Sequence, residues 1–414
     1  MRVVDTTRTR PLPQEPEPAK RGLAARVSLG RVFAPVPSEF LLIASTALIL
    51  TGFGLVMVLS ATSATSEDAG GGPYDAVIKQ GVFAVIGIPL MFLASRMPLR
   101  FWKRMAWPAL IGATVFQLLV FTPLGITNDG NQNWIRIAGM QAQPSEFLKV
   151  TLAIWLGYIL YRKRTLLADW RHVFIPAVPV GIAVIGTVMA GHDLGTAIIL
   201  VLIMLAGLFF SGVKLRVFLL PLLLFAGGVA YFAISSPDRM RRYMSFLSND
   251  CLADYYGDCY QPLHGIWGLA GGGVFGVGLG NSKEKYSWLP AAANDYIFAI
   301  VGEELGLIGC IVVLILFAIF AVGAFHIVRK TDDPFVRIAA GAITVWIIGQ
   351  ALLNIGVVLR LLPVFGVPLP FLSQGGTSLM SVLIACGVLL SFARTIPHKA
   401  RSAASPSPRG TIAR

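Results

Sequence analysis

Ten apolar runs of membrane-spanning length follow one another along this chain, separated by polar segments. A helix needs about 20 mostly apolar residues to cross the ~30 Å hydrocarbon core of a bilayer. The mean hydropathy is +0.72 and 55% of the 414 residues are hydrophobic, so a water-soluble fold would expose aggregating apolar patches. These features predict an all-α polytopic membrane protein. The ten predicted spans cover 39–61, 77–95, 105–124, 145–161, 173–190, 196–212, 217–235, 295–328, 338–359 and 377–393.

Polar segments flank the apolar part of the chain at both ends. Residues 1–38 are rich in proline and charge, and residues 395–414 are small, polar and basic. Neither segment has the composition to bury a core, so both are predicted to be disordered tails. Residues 1–38 also contain no apolar stretch of the kind found in a cleavable signal peptide. The sequence therefore predicts one transmembrane domain over 39–394 between two tails.

The distribution of basic residues predicts which side of the membrane each loop faces. The formal net charge is +13, and most of the 34 Lys and Arg fall in the tails and in alternate loops. Loops rich in Lys and Arg face the cytoplasm, so both termini are predicted to be cytoplasmic. This distribution explains the basic charge without a nucleic-acid partner. The topology leaves a large outer loop, 236–294, whose length and Trp, Tyr and Gly content favour an ordered, functional segment.

Ionisable and amide side chains concentrate at the predicted outer ends of the spans. Such groups are costly near lipid and tend to mark a functional cavity. Cations suit a phosphate or pyrophosphate, and a carboxylate suits a general base for a hydroxyl. A substrate with a lipid tail and a phosphate-sugar head fits both. The candidate catalytic residue is Asp295, and the candidate substrate-binding residues are Trp134, Arg136, Glu146, Lys149, Asp193, Gln261, Lys283, Lys285, Glu303, Glu304, Ser373 and Gln374.

Several of these candidates also have an ordinary structural interpretation. Trp134 could be an interfacial belt residue. Glu146 and Lys149 have the i, i+3 spacing of a helical ion pair. Asp193 could cap the sixth helix, and Asp295 could cap the eighth. For Asp295 the spacing alone favours the cap, although one side chain can be both a cap and a catalytic base.

Two further carboxylates follow Asp295 inside the same apolar span. If the helix begins near Asp295, Glu303 and Glu304 lie about 12 Å deeper, at ~1.5 Å per residue. A charged group at this depth needs a partner, a water-filled cavity or a proton. We therefore expect one of the two to line a cavity and the other to pair or to be protonated.

The four cysteines divide by position. Cys310 and Cys386 lie within apolar spans and are interpreted as small apolar residues. Cys251 and Cys259 lie in the outer loop, where a disulfide can form. Sequence spacing does not fix the distance between their Cα atoms, so a disulfide and two free thiols both stay open. No Cys/His spacing in the sequence indicates a zinc site.

Six segments of the sequence resemble motifs of a known family. They are "GLVMVLSATS", "NWIRIAGMQAQPSEFLK", "DLGTA", "GVGLGNSKEKYSWLP", "NDYIFAIVGEELGLIG" and "LLPVFGVPLPFLSQGGTSL", and they occur in the family's order. The sequence resembles the SEDS (FtsW/RodA/SpoVE) family of bacterial peptidoglycan polymerases over roughly 39–394. The motif "GEELG", the "LLPVFGVPLPF" segment and the long polar N-terminal extension are more similar to the division branch than to the elongation branch.

The resemblance implies a fold, a reaction and a site. It implies ten transmembrane helices with a large outer loop between the seventh and eighth, and glycan polymerisation from lipid II at the outer leaflet. The essential aspartate of the family corresponds to Asp295, and its tryptophan, glutamate and lysine correspond to Trp134, Glu146 and Lys149. The sequence departs from the usual motifs at "AANDYIF", "GHDLGT" and "SQGG", which leaves the acceptor contacts open.

The resemblance also implies partners and sets out rival functions. It implies a class B penicillin-binding protein and other division proteins as membrane partners, and a location at the division septum. A divalent cation, Mg or Mn, is the one cofactor left open. The alternatives are a lipid II flippase, an elongation polymerase and a non-catalytic scaffold. A flippase needs polar residues that continue to the inner face, and a scaffold needs no carboxylate at the mouth of a helix.

Overall fold

The computed structural model describes residues 37–68, 72, 74–128, 131–137, 139–167, 169–234, 237–247, 251 and 255–396. Most of both predicted tails, 1–36 and 397–414, and the side chain of Arg239 lie outside these residues. The helices are α1 (Ser38–Asp68), α2 (Asp75–Ser95), α3 (Leu99–Leu118), α4 (Ser145–Arg162), α5 (Trp170–Phe174), α6 (Ala177–Ala190), α7 (Leu194–Phe210), α8 (Leu215–Ile234), α9 (Pro237–Leu247), α10 (Tyr260–Gly272), α11 (Ile297–Lys330), α12 (Pro334–Val358) and α13 (Gly376–Ala393).

All ten predicted spans fall on helices, which confirms an all-α polytopic membrane protein. Among the described residues, seven helical segments are long and apolar enough to cross a bilayer. The other three spans correspond to α4, α7 and α8, of which α7 is the shorter apolar helix Leu194–Phe210. The fifth span is divided into α5 and α6 by Ile175 and Pro176.

The core of the bundle lies where α4, α7, α12 and α13 pack together. Their contact faces are formed by buried aliphatic and aromatic side chains such as Trp155 and Trp346, which are fully buried. Small residues let the backbones approach: a Cβ on Gly157 of α4 would lie 2.8 Å from the Cβ of Ala339 in α12. In a membrane, close helix packing of this kind contributes much of the attraction between helices.

The segment before α4 folds into a small sheet that the hydropathy pattern did not predict. Strands β1 (Gly125–Asn128), β2 (Asn131–Ile137) and β3 (Met140–Ala142) form an antiparallel sheet in the order β1-β2-β3. Side chains alternate between the two faces of a strand. Ile135 of β2 is fully buried, whereas its neighbour Arg136 is exposed.

Helix α11 is broken, which corrects the prediction of one continuous helix over 295–328. The helix begins at Ile297, and Gly306 has φ 68°, ψ −165° inside it. The segment 273–278 of the long loop returns to this break: the Val277 N–H donates to the Glu303 carbonyl at 3.0 Å, and the Leu307 N–H donates to the Gly273 carbonyl at 2.9 Å. The break therefore leaves a short half-helix, 297–305, that packs against the 236–294 loop.

Candidate active site

Asp295 lies in a tight turn immediately before α11. Its N–H donates to the Ala291 carbonyl at 3.1 Å, and Ala291 has φ 52°. The N-cap position of α11 is Tyr296, and no side chain caps the helix there. The cap interpretation of Asp295 is therefore wrong. The turn, which the spacing did not reveal, displaces the carboxyl group from the position of a helix cap.

Helix α12 holds the backbone on which Asp295 sits. The side-chain amide of Asn354 donates to the Asp295 carbonyl at 2.7 Å and to the Val367 carbonyl at 2.8 Å. Asn354 is 1% exposed. One buried amide thus joins the Asp295 turn to the segment between α12 and α13, and it leaves the Asp295 carboxylate free of these contacts.

The segment between α12 and α13 supports the same turn from the other side. The hydroxyl of Ser373 donates to the Asn294 carbonyl and accepts from the Leu369 N–H at 2.8 Å. The Gln374 N–H donates to the Ala293 carbonyl at 2.9 Å. Ser373 and Gln374, both predicted from sequence, therefore lie next to Asp295, and their contacts with its turn position the backbone.

The surroundings of Asp295 change its acidity. The side chain is half-buried, and within the part of the chain that the structure describes no group donates a hydrogen bond to its carboxylate. Loss of hydration raises the pKa of Asp295 to about 6; the Asp193 carboxylate acts in the same direction and the Arg242 guanidinium opposes it. A carboxylate with this pKa can accept a proton from a hydroxyl.

Asp193 caps α7, as its alternative interpretation predicted. Its carboxylate accepts from the Thr196 N–H at 2.9 Å and from the Thr196 hydroxyl at 2.9 Å. It also accepts from the side-chain amides of Asn133 in β2, at 3.1 Å, and of Gln143 before α4, at 3.0 Å. This second carboxylate of the site is therefore fully engaged, and it joins the small sheet, α4 and α7 near Asp295.

Trp134 and Arg136 lie on the other face of β2. Because side chains alternate along a strand, both point away from the face on which Asn133 reaches Asp193. Trp134 is half-buried and pairs across the sheet with Ile126, and Arg136 is exposed. The structure therefore does not bring these two side chains into the contacts around Asp193.

Glu146 and Lys149 form a buried ion pair inside the bundle. The Lys149 Nζ lies 2.8 Å from Glu146 Oε1, and both side chains are 1% exposed. The ammonium also donates to Gln350 Oε1 at 3.1 Å, and the Ser381 hydroxyl donates to Glu146 Oε2 at 3.2 Å. The predicted helical pair is present, and it links α4 to α12 and α13.

Gln350 and Asn354 are the site residues that the sequence analysis missed. They stand four residues apart on α12, and neighbours at this spacing share one face of a helix. Gln350 donates to the Pro368 carbonyl at 2.8 Å while accepting from Lys149. The buried ion pair is therefore connected to the segment that supports Asp295. Two amides at i, i+4 within an apolar span were the available signal.

Glu303 and Glu304 anchor the long loop to α11. The expected pairing is confirmed for Glu304, whereas Glu303 is buried against the loop and does not line a cavity as expected. Glu303 accepts from the hydroxyl of Ser282 and from the Lys283 N–H at 2.8 Å. Glu304 accepts from the Ser60 hydroxyl at 2.6 Å and lies 3.5 Å from the Lys285 ammonium. Residues distant in sequence supply these partners, which local spacing could not show.

The three polar candidates of the long loop have different environments. Lys285 is 2% exposed and is held by Glu304 and by the Gly280 carbonyl. Lys283 is exposed, and only its backbone binds Glu303 among the contacts above. Gln261 in α10 donates to the Pro290 carbonyl at 2.9 Å. Gln261 also lines a cavity of about 300 Å³ that contains Arg242 and Arg360.

Comparison with known proteins decides the family. Residues 40–397 match the model of a family described as cell cycle protein and comprising FtsW, RodA and SpoVE. The chain belongs to the FtsW/RodA/SpoVE family. The chain is 37% identical over 371 residues to a Mycobacterium tuberculosis protein named "Probable peptidoglycan glycosyltransferase FtsW", which covers 89% of this chain and 70% of that protein.

Other members are similar over most of their length. Stage V sporulation protein E of Bacillus subtilis is 33% identical over 359 residues, which covers 86% of this chain and 97% of that protein. Among solved structures, a chain of a peptidoglycan synthase complex superposes with a TM-score of 0.68 at 22% identity, covering 85% of this chain and 96% of that one. Thermus thermophilus RodA superposes with a TM-score of 0.61 at 20% identity, covering 85% and 95%. These two similarities show a shared FtsW/RodA fold.

The residue that follows Asp295 packs against the long loop. In "NDYIF" the residue after the aspartate is Tyr296, which is fully buried against Gly265. Its hydroxyl is buried without a hydrogen-bond partner among the described residues. Burial and the Asp295 carboxylate raise the pKa of Tyr296, whereas Arg242 and Arg360 lower it. Both arginines therefore act on the segment that carries Asp295.

Proposed function

We propose that this chain is a peptidoglycan glycosyltransferase that polymerises lipid II at the outer face of the cytoplasmic membrane. The observation that carries the proposal is Asp295, a carboxylate with a raised pKa and no hydrogen-bond donor among the described residues. It lies on the turn that Asn354 and Ser373 hold, and the Arg242 guanidinium is close enough to lower its pKa. The names of the curated relatives described above support the same reaction.

The proposed step is an inverting glycosyl transfer. The 4-hydroxyl of the acceptor GlcNAc loses its proton to the Asp295 carboxylate, and its oxygen forms a bond with the anomeric carbon of the donor MurNAc. The bond from that carbon to the undecaprenyl pyrophosphate breaks, and the leaving group takes the electron pair. An α-linked donor gives a β-1,4 product in one displacement, so no covalent enzyme intermediate is needed.

The acidity of Asp295 suits this role. With a pKa of about 6, most of the carboxyl groups are ionised at pH 7 and can accept a proton. A base whose pKa lies near the operating pH is the most effective, and general base catalysis typically contributes about 10²–10⁴-fold. The raised pKa makes this aspartate a stronger base than an ordinary exposed one, without protonating it at neutral pH.

The other predicted residues support the base in this proposal. Asn354 and Ser373 hold the turn, and Gln350 links it to the buried Glu146–Lys149 pair. Holding a catalytic group in productive geometry lowers the barrier, and small misplacements are costly. Within the part of the chain that the structure describes, no cluster of three or more His, Cys, Asp or Glu side chains is arranged to hold a metal. A divalent cation therefore stays a prediction.

The partners, the orientation and the location are also part of the proposal. The distribution of Lys and Arg supports cytoplasmic termini and an external 236–294 loop. A class B penicillin-binding protein fits as the membrane partner, because the structural neighbours include a peptidoglycan synthase complex. The similarity to proteins named FtsW supports a role at the division septum together with other division proteins.

The experiment compares polymerisation with lipid transport. The purified protein, in complex with its transpeptidase partner, is supplied with lipid II, and glycan strands are separated by gel electrophoresis. The expected result is strand formation without any added polymerase. A proteoliposome assay for lipid II flipping runs in parallel. Flipping without strand formation would indicate a transporter instead of a polymerase. The absence of both activities would favour the scaffold.

A further inference from the structure

The long loop forms one wall of a cavity beside the Asp295 turn. Helices α9 and α10 and a disulfide between Cys251 and Cys259 enclose the cavity of about 300 Å³. Cys251 and Cys259 are 4% and 1% exposed, and their Cα atoms are 5.5 Å apart. The end of α12 and the residues after it close the other side. A cavity of this size can hold a small ligand or one group of a larger one.

Arg360 is held in an unusual conformation at the wall of this cavity. It has φ 55°, in the left-handed region that residues other than glycine seldom adopt. Its guanidinium Nη2 donates to the Sγ of Cys251 at 2.7 Å. A strained backbone persists where the surrounding structure holds it, and such positions concentrate at functional sites. The disulfide and the backbone together direct this cation to the cavity.

Arg242 supplies a second cation to the same cavity. It lies on α9, and no described carboxylate is within ion-pair distance of Arg242 or of Arg360. The carboxylate in the cavity wall, Asp258, lies 3.7 Å from Arg241 instead. Two arginines that share a cavity, with no described carboxylate within ion-pair distance, are suited to an anion.

The cavity is also next to the proposed catalytic group. Arg242 lowers the pKa of Asp295, and both Arg242 and Arg360 lower the pKa of Tyr296. Pro290, on the segment that leads to Asp295, lines the cavity and is held by Gln261. An anion bound here would therefore lie beside the base rather than at a remote site.

We propose that this cavity binds the pyrophosphate of the lipid-linked sugar donor, with Arg242 and Arg360 as its ligands and the Cys251–Cys259 disulfide as the element that positions Arg360. The inference rests on the proposed function, since it assigns the leaving group of that reaction. The planar guanidinium matches phosphate oxygens with two parallel hydrogen bonds. Tyr256 and Tyr260 in the wall add hydroxyl groups that suit the same ligand.

The test measures binding without catalysis. Undecaprenyl pyrophosphate is titrated against the detergent-purified, full-length protein in complex with its partner, and inorganic pyrophosphate is titrated separately. Arg242→Gln and Arg360→Gln are expected to weaken binding of the lipid pyrophosphate about tenfold or more, because each removes a charge-assisted hydrogen bond. They should also raise the KM for lipid II more than they lower kcat.

Three further variants separate charge from structure. Lys79→Gln changes an exposed cation on α2, which is not in the cavity wall, and should bind within about twofold of the wild type. Arg360→Gly relieves the left-handed backbone while it removes the guanidinium, so it should fold and still lose affinity. Cys251→Ser with Cys259→Ser should lose affinity in the same direction because Arg360 loses its support.

The outcomes separate this inference from the proposed function. Wild-type affinity in Arg242→Gln and Arg360→Gly would overturn the pyrophosphate site, even if the protein polymerises lipid II. If the protein binds inorganic pyrophosphate but not undecaprenyl pyrophosphate, the cavity is not the site of the lipid-linked donor. Asp295→Asn should retain or raise the affinity, because it removes a negative charge beside the ligand, so failure of the base and failure of this site give different results.

Discussion

Removal of the Lys149 ammonium should destabilise the bundle far more than removal of the Lys103 ammonium, which belongs to an equally short but partly exposed ion pair. The Lys149–Glu146 pair and the Lys103–Asp333 pair have N–O distances of 2.8 and 2.7 Å. The first pair is 1% exposed on both sides, and the second is 22% and 29% exposed. The two pairs therefore differ mainly in burial, which makes the second a matched control.

The expected magnitude follows from what remains around Glu146. In Lys149→Met the Glu146 carboxylate retains the Ser381 hydroxyl as its described donor, and a buried charge without its partner costs about 3–5 kcal/mol. Lys103→Met should cost about 1 kcal/mol or less, since water solvates the remaining Asp333. Combining Glu146→Gln with Lys149→Met removes both charges and should recover most of the loss.

The assay is the free energy of unfolding in mixed micelles, measured by denaturant titration with tryptophan fluorescence as the signal. Polymerisation is measured on the same samples. If Lys149 acts by positioning, the double variant should recover activity together with stability. A stable but inactive double variant would show that Lys149 contacts substrate, and a single variant as stable as the wild type would refute the buried pair.

Three further predictions concern acidity, topology and the disulfide. Because Asp295 has a pKa of about 6 and acts as a base, kcat/KM should fall about tenfold per pH unit below that value and level off above it, as a pH profile with lipid II would show; a flat profile down to pH 5 would contradict this. A membrane-impermeant thiol reagent should label a cysteine placed at Asn281 and not one placed at Asp332 in intact cells; the reverse pattern would invert the topology. Peptide mapping without reductant should recover Cys251 and Cys259 as one cross-linked peptide, and two alkylatable thiols there would disprove the disulfide.

Hydropathy predicted the membrane-spanning helices because it reports the property that selects them. A segment in lipid must satisfy its backbone hydrogen bonds internally, so a long apolar run has few alternatives to a helix. The break at Gly306 was not predictable in this way. A hydropathy window through "GEELGLIG" registers an apolar run, whereas the break depends on hydrogen bonds to residues 273–278.

The site shows the same limit at the level of single residues. The spacing around Asp295 favours a helix cap, whereas the N-cap position of α11 is Tyr296 and no side chain caps the helix. The pairing of one of the two glutamates was predicted, but the partners of Glu303 and Glu304 come from Ser60 and the long loop. Asp193 was predicted correctly as a cap because its partner, Thr196, is local.

The most direct measurement is glycan-strand formation by Asp295→Asn. The substitution keeps the size of the side chain and the backbone carbonyl that binds Asn354, and it removes the proton acceptor. Equal amounts of wild-type and variant protein, each with its partner, are compared on lipid II after their unfolding transitions are shown to match. We expect polymerisation to fall by about 10²–10⁴-fold. Near wild-type strand formation by the variant would contradict Asp295 as the base.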